Sequence, residues 1–160
     1  MTPAIEAAAA AGIKIGVHPY EHDPDNQKYG LEAAEALGVP LARVFKTLVI
    51  DIGATMDSRY ALAILPVPRI LRLKAAAAAL GQKKGMMAAP HRAESVTGYV
   101  RGGISPLGTR TQLPTVIDSS ACDLDLIYCS GGKRGLDISI RWEDLVLLTT
   151  ATLASIAREK

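Results

Sequence analysis

The chain has 160 residues, of which 49% are apolar and 21% are charged. This size and balance are typical of one globular domain with a substantial core, so we expect residues 1–160 to form a single domain and exclude a disordered chain. A formal net charge of +2 is too small to indicate a nucleic-acid-binding protein by itself. It is compatible with a local basic rim, which is all that one nucleic-acid end requires.

The cysteines favour a reducing compartment. Cys122 and Cys129 occur without a signal-peptide pattern, which argues against a disulfide scaffold. No run of about 18 apolar residues is present, so the sequence predicts no membrane span. We therefore expect a cytoplasmic protein that does not bind membranes.

Periodicity, capping residues and glycine or proline breakers predict helices and strands along the whole chain. Thr2 and Pro3 have the pattern of an N-cap followed by proline at the first helical position. The first predicted elements are a helix over 3–11, a strand over 13–17, a helix over 31–37, a strand over 44–52, a turn over 53–57 and a strand over 60–65. They are followed by helices over 74–80 and 90–96, strands over 115–118, 126–129 and 136–140, and a helix over 142–148. This irregular interleaving predicts an α+β (mixed α/β) fold, with a mixed sheet flanked by helices.

Lys46 is the first unusual residue, because it lies inside the apolar run 44–50. A lysine on a strand usually points to solvent or extends its charged end past apolar neighbours, and this is the commoner case. The alternative is a lysine at the wall of a pocket. There a desolvated ammonium would stabilise negative charge on a carbonyl or phosphate oxygen. The residue pattern leaves both interpretations open.

Two glycine-rich segments, 98–108 and 130–135, offer bare backbone amides and allow close approach of a ligand. Their spacing fits neither a dinucleotide fingerprint nor a phosphate-binding P-loop. The second segment is predicted as a loop that adds Lys133 and Arg134, and on its own it is somewhat more typical of a tight solvated turn than of a ligand site. Asp137 follows it on an apolar strand, where a carboxylate could anchor a substrate ammonium or orient a lysine.

The remaining reactive residue types predict no metal site and no protein nucleophile. His18 and His22 flank a strand end and a turn, and His91 has no partner in the pattern. Cys122 and Cys129 lack Cys-x-x-Cys spacing, so we expect buried, inert thiols. A Gly-x-Ser-x-Gly elbow is missing, and a serine triad is therefore not supported. We expect neither a metal nor a cofactor.

Several segments, weak one by one, occur together in an order that matches one family. They are Tyr-Glu-His-Asp-Pro at 20–24, Val-Phe-Lys-Thr-Leu at 44–48, Thr-Gly-Tyr at 97–99, Gly-Gly-Ile-Ser-Pro-Leu-Gly at 102–108, Leu-Pro-Thr-Val-Ile-Asp at 113–118 and Ser-Gly-Gly-Lys-Arg-Gly-Leu-Asp-Ile at 130–138. The chain thereby resembles the YbaK/ProX family, the free-standing relatives of the editing domain inserted in bacterial prolyl-tRNA synthetases. The alanine-specific editors share the lysine and the first glycine segment, whereas the run at 131–137 resembles the YbaK branch.

The resemblance implies one editing domain with a curved, partly barrel-like mixed sheet flanked by helices. It also implies an enzyme that deacylates mischarged tRNA, in which Lys46 is the indispensable residue. By position, the substrate pocket would be lined by Tyr20, Tyr29, Thr47, Gly102, Ser130 and Asp137. Tyr29 is a mild departure, because relatives often carry Phe there, and this could change the polarity of the pocket. The turn at 57–59 is slightly longer than in close relatives, at a site with no expected role.

The resemblance further implies that the thiol of a cysteine substrate attacks its own ester carbonyl, giving a thiolactone and free tRNA. We expect Cys-tRNA(Pro) as substrate, with Cys-tRNA(Cys) as a further one. Lys46 and the amides near Gly102 would hold the terminal adenosine and the aminoacyl carbonyl, and Asp137 or nearby carbonyls would receive the amino group. Candidates for a basic rim around the tRNA end are Lys83, Lys84, Arg101, Lys133 and Arg134, and each is equally compatible with a solvated surface. Prolyl-tRNA synthetase is a candidate partner, and DNA is not.

Two other functions stay open. One is hydrolysis of Ala-tRNA(Pro). The other is a non-catalytic module that binds a small nucleotide or an aminoacyl adduct, which would use Lys46 and the glycine segments equally well.

Overall fold

The computed structural model describes residues 1–53 and 57–160. Its helices are α1 (Pro3–Ala10), α2 (Tyr29–Leu37), α3 (Leu73–Ala79), α4 (Pro90–Thr97) and α5 (Trp142–Thr149). Its strands are β1 (Gly16–Pro19), β2 (Phe45–Asp51), β3 (Tyr60–Pro66), β4 (Ile70–Leu71), β5 (Met86–Met87), β6 (Thr115–Asp118), β7 (Ile127–Lys133), β8 (Leu136–Ile140), β9 (Thr152–Ala154) and β10 (Ala157–Arg158). Short 3-10 helices lie at Leu41–Arg43 and Ser119–Asp123. The predicted turn over 53–57 falls largely on residues 54–56, which lie outside the described residues.

The helix boundaries follow local capping chemistry. The Thr2 side chain accepts a hydrogen bond from the Ile5 amide at 3.3 Å, with Pro3 as the first helical residue, as predicted for α1. α2 ends at Gly38, whose φ of 66° is the left-handed conformation that glycine adopts at little cost. None of the described helices is both long enough and apolar enough to cross a membrane.

Two sheets form the framework. The larger has the order β5-β2-β3-β6-β9, with β2 antiparallel to β3 and β5, and β6 parallel to β3 and β9. The smaller is antiparallel, with the order β1-β8-β7, and β4 pairs separately with β10. The predicted α+β class and mixed sheet are confirmed. Among residues 1–53 and 57–160, the two sheets are joined by an isolated parallel bridge from Val44 to Tyr128. The hydrogen bonding between strands is therefore not continuous around these residues, and they form no closed barrel.

The second glycine segment is mostly a strand, so the predicted loop over 130–135 was wrong for residues 130–133. β7 continues through Lys133, and its register against β8 shifts between Ser130 and Lys133. A β-bulge absorbs extra residues without ending a strand, which explains why glycines do not break β7 here. Only the link between β7 and β8 remains as a turn.

The core lies on both sides of the central strands. One apolar cluster packs Phe45 against residues of β7 and β8 such as Cys129 and Ile138. A second packs Ala76 and Ala77 of α3 against the five-stranded sheet. β2 contributes to both clusters, which fixes its position between the two sheets.

Candidate active site

A cavity of about 350 Å³ lies where the two sheets meet. β2 forms one wall through residues 45–49, and β7 and β8 contribute Ser130 and Asp137. Residues at the start of α2 and along α4 complete the wall. This volume lies within the range of pockets that hold small molecules, and the lining is mainly apolar with a few polar groups, as such pockets require.

The seven residues that the resemblance assigns to catalysis and to the substrate pocket all line this cavity. They are Tyr20, Tyr29, Lys46, Thr47, Gly102, Ser130 and Asp137. Of the predicted rim, Arg101 lines the cavity as well. Lys83, Lys84, Lys133 and Arg134 are exposed and do not line it.

Lys46 lies at the cavity wall rather than in solvent. It pairs with Leu65 of β3, is partly buried, and its Nζ donates a hydrogen bond to the Arg69 carbonyl oxygen at 2.7 Å. Burial lowers the pKa of the Lys46 ammonium, and the nearby charge of Lys160 lowers it further. An ammonium has three donors, so one bond to Arg69 leaves two for a ligand oxygen.

Two buried polar atoms of the wall have no hydrogen-bond partner among the described residues: Thr47 Oγ1 and Asp137 Oδ2. Such atoms are rare in folded proteins and cost on the order of 1–3 kcal/mol each when they stay unsatisfied, so at a cavity they are available to bind water or a polar ligand. Burial raises the pKa of Asp137 to about 7. A ligand ammonium beside this carboxyl would lower the pKa again and favour the charged form.

Tyr29 and Gly102 form a tightly packed part of the wall. Gly102 has a φ of 83°, and a Cβ built there would lie 2.6 Å from Cε1 of the Tyr29 ring, so only glycine fits. The Arg134 guanidinium lies 5.2 Å from the centre of the same ring, and its Nε donates to the Arg101 carbonyl at 2.8 Å. Arg134, which was predicted for the basic rim, thus contacts the outer side of the cavity wall.

Tyr20 and Ser130 supply hydroxyl groups. Burial, followed by the charges of Asp137 and Glu32, raises the pKa of Tyr20 to about 12, so its phenol stays neutral. Ser130 Oγ accepts a hydrogen bond from the Gly132 amide at 3.2 Å, which leaves its proton free to donate to a ligand.

No cysteine and no histidine is among the described residues that line the cavity. Cys129 is buried in the core, and burial raises the pKa of its thiol, so it is no thiolate. Cys122 is exposed, so the prediction that both thiols are buried was wrong for this one, because it lies on a short surface 3-10 helix. His18 lies elsewhere, with its Nε2 2.8 Å from Ser139 Oγ. The described residues contain no cluster of His, Cys, Asp and Glu that could hold a metal ion.

Sequence reasoning missed several wall residues. Val67, Met87 and Glu94 line the cavity, and the Arg69 carbonyl positions Lys46. None of them stands out in the sequence, because a backbone carbonyl, two scattered apolar side chains and one glutamate on a helix carry no motif.

The sequence matches the family model described as the aminoacyl-tRNA editing domain over residues 25–148. The chain belongs to this family. The matched range includes Lys46, both glycine-rich segments and Asp137, and it leaves out Tyr20. The family resemblance inferred from the sequence is therefore confirmed.

Individual relatives agree with this assignment. The chain is 38% identical over 127 residues to EbsC of Enterococcus faecalis, which carries the name of a Cys-tRNA(Pro)/Cys-tRNA(Cys) deacylase, and the match covers 79% of this chain and 76% of that protein. A crystal structure described as a trans-editing enzyme for prolyl-tRNA synthetase superposes with a TM-score of 0.83 at 23% identity, covering 98% of this chain and 95% of the other. The hypothetical protein APE2540 superposes with a TM-score of 0.85 at 21% identity, covering 98% and 99%. These two structures establish the shared fold of the editing domain.

Proposed function

We propose that the chain is a free-standing deacylase that releases cysteine from Cys-tRNA(Pro), and also from Cys-tRNA(Cys). The observation that carries the proposal is a cavity that joins a partly buried lysine to an unpartnered carboxylate, with no cysteine or histidine among its described lining residues. Membership of the editing family and the 38% identity to EbsC support the same activity.

Lys46 is placed to stabilise the oxyanion. An ester carbonyl gains negative charge when it is attacked, and a donor held in a partly dry site stabilises that charge far better than water-exposed donors do. The Arg69 carbonyl, 2.7 Å from Nζ, holds the ammonium in place before the substrate arrives. Little reorganisation is then needed at the moment of reaction.

Asp137 is suited to receive the substrate amino group. Its Oδ2 is buried and has no hydrogen-bond partner within residues 1–53 and 57–160, so an ammonium at this position would satisfy the carboxylate and fix the orientation of the aminoacyl group. Thr47 Oγ1, which also lacks a partner in the described part of the chain, lines the same cavity and would bind a polar atom of the terminal ribose or of the ester. These contacts would bring the ester carbonyl beside Lys46.

The attacking group comes from the substrate. The cysteine thiol loses its proton and its sulfur attacks the carbonyl carbon. The bond between that carbon and the ribose oxygen then breaks, the leaving oxygen takes up a proton, and a cysteine thiolactone and free tRNA result. Water later opens the thiolactone. A prolyl ester has no thiol, so this chemistry separates cysteine from proline more sharply than the roughly 1–3 kcal/mol that pocket shape alone supplies.

Hydrolysis of three preformed esters tests the proposal: cysteine, serine and alanine on the same tRNA(Pro). We expect rapid release of cysteine and little release of serine or alanine above the spontaneous rate. A serine ester cleaved as fast as the cysteine ester would overturn the thiol mechanism. Cleavage of the alanine ester with the cysteine ester spared would identify an Ala-tRNA(Pro) deacylase, and no cleavage at all would identify a binding module.

We further propose that the enzyme acts in the cytoplasm beside prolyl-tRNA synthetase. The cavity has room for little more than the aminoacylated terminal nucleoside, so recognition of the tRNA body would fall largely to a partner. Addition of the synthetase should then raise discrimination between tRNA(Pro) and other cysteine-charged tRNAs. Unchanged discrimination would argue against such a complex.

A further inference from the structure

The positive charge of this chain is concentrated in one part of the sequence. No Asp or Glu occurs between Asp57 and Glu94. The cations of the same stretch are Arg59, Arg69, Arg72, Lys74, Lys83, Lys84 and Arg92. The formal net charge of +2 therefore hides a strongly unbalanced region.

The fold adds further cations to one end of this region. β10 pairs antiparallel with β4, so that Arg158 lies opposite Ile70, and the Arg72 amide donates to the Ile156 carbonyl at 2.7 Å. Paired strands lie about 4.8 Å apart, which brings the C-terminal residues beside Arg69 and Arg72. We call the cationic residues on and beside the β4–β10 pair the basic strip. It consists of Arg69, Arg72, Lys74, Arg158 and Lys160.

The charge of the basic strip is not neutralised within the described residues. Their two side-chain ion pairs, His22 with Glu32 and Arg141 with Glu143, both lie elsewhere. Glu159 is the one acidic residue in the segments that form the strip. All strip residues except Arg69 are exposed, and Arg69 is partly exposed. Such a surface attracts a polyanion.

One end of the basic strip lies next to the cavity. The backbone carbonyl of Arg69 accepts the hydrogen bond from Lys46 Nζ at 2.7 Å, so Arg69 is adjacent to the lysine that lines the cavity. Lys160 follows β10 at the same end of the β4–β10 pair as Arg69, and it is close enough for its charge to act on Lys46. A chain of phosphates leaving the cavity past Lys46 would therefore meet these cations next.

The part of the cavity wall formed by Glu94 and Arg101 is less suited to phosphates. Glu94 lines the cavity there, and its Oε2 accepts a hydrogen bond from the Arg101 amide at 2.8 Å. Arg134 lies over the Tyr29 ring and bonds to the Arg101 carbonyl. Here a carboxylate lines the cavity itself, and the Arg134 Nε is already bonded to a backbone carbonyl.

We propose that the basic strip carries the backbone phosphates of the tRNA acceptor end while the terminal adenosine occupies the cavity. This deepens the proposed function and rests on it. Phosphate contacts fix the position and register of a nucleic acid without reading its sequence. An enzyme that acts on the single-stranded ends of tRNAs needs contacts of this kind. Lys83 and Lys84, at the far end of α3, are then not the principal tRNA contacts.

The test measures binding of an uncharged acceptor-stem minihelix ending in CCA, by fluorescence anisotropy over a series of salt concentrations. Arg72→Glu, Arg158→Glu and their combination are compared with Lys14→Glu. This control makes the same charge change just before β1, which belongs to the three-stranded sheet. We expect each strip variant to weaken binding several-fold at low salt and to reduce the salt slope by about one per lost phosphate contact. Lys14→Glu should leave the slope unchanged. Circular dichroism verifies that each variant is folded.

Strip variants that bind like Lys14→Glu would overturn the proposal. A reduced salt slope in Lys83→Glu and Lys84→Glu alone would also overturn the proposal, because the RNA would then bind beyond the C-terminal end of α3. The minihelix carries no amino acid, so this outcome is independent of whether the protein cleaves Cys-tRNA(Pro). If the protein does not cleave Cys-tRNA(Pro) but the strip variants weaken minihelix binding as predicted, the proposed deacylase activity is refuted and the proposed RNA-binding surface still stands.

Discussion

Asp137→Asn should stabilise the protein at alkaline pH. Asp137 is only 5% exposed, and its Oδ2 has no hydrogen-bond partner among the described residues. Burial raises its pKa to about 7, whereas an aspartate in an unfolded chain titrates near about 3.9. Between these values the folded state holds a proton that the unfolded state has lost. The stability contributed by protonation is therefore complete below about pH 4 and disappears as the pH rises to about 7.

The size of the effect follows from the two pKa values. Three pKa units correspond to about 4 kcal/mol over the full titration, at about 1.36 kcal/mol per unit. About 2–3 kcal/mol of this is lost between pH 5 and pH 8. Asparagine keeps the shape of the carboxyl group and does not ionise. Between pH 5 and pH 8, the free energy of unfolding of Asp137→Asn relative to that of wild type should therefore rise by about 2–3 kcal/mol.

Urea unfolding followed by circular dichroism at pH 5 and pH 8 measures this difference. Asp118→Asn is the matched control, because Asp118 is equally buried but both of its carboxylate oxygens accept hydrogen bonds, Oδ1 from the Ile156 amide at 3.0 Å and Oδ2 from the Ser120 amide at 3.3 Å. Asparagine has one acceptor oxygen in its side chain, so the variant loses one of these bonds. We expect this control to lose stability at pH 8. A stability difference between Asp137→Asn and wild type that does not change with pH would refute the reasoning, and so would a loss at pH 8 like that of the control.

Two further predictions concern the cavity and the thiols. Gly102→Ala should lose about 1–3 kcal/mol of stability and raise KM for Cys-tRNA(Pro), because its Cβ would lie 2.6 Å from the Tyr29 ring at a φ of 83°. Thermal unfolding and steady-state kinetics check this, and unchanged values would show that the ring moves freely. Cys122→Ala should keep the wild-type kcat/KM for Cys-tRNA(Pro), since its exposed thiol does not line the cavity. A large loss would implicate a protein thiol in the reaction.

Elements with strong local signals could be predicted from the sequence. The strands Thr115–Asp118 and Leu136–Ile140 were predicted with their observed bounds, because runs of β-branched and apolar residues end at clear breakers. The two-residue strands Ile70–Leu71 and Met86–Met87 were not predicted, since two residues carry no periodicity. β7 was cut short because its glycines suggested a loop, whereas pairing with β8 holds them in the sheet.

The candidate site shows a similar division. The resemblance selected Lys46 and Asp137, but the residues alone left Lys46 as either a solvent-exposed or a pocket lysine. Its partner is a backbone carbonyl 23 positions away, and only tertiary structure reveals such a contact. The pairing of β10 with β4, which assembles the basic strip, was equally invisible because both strands are too short to predict.

Release of cysteine from preformed Cys-tRNA(Pro) by wild type and by Lys46→Ala tests the central claim most directly. We predict that wild type is far above spontaneous hydrolysis and that the variant loses about 100- to 1000-fold in rate, as expected when one oxyanion donor is removed. The matched Lys14→Ala should keep the wild-type rate, and the circular dichroism of both variants should be unchanged. A folded Lys46→Ala protein that deacylates Cys-tRNA(Pro) as fast as wild type would contradict the role assigned to Lys46.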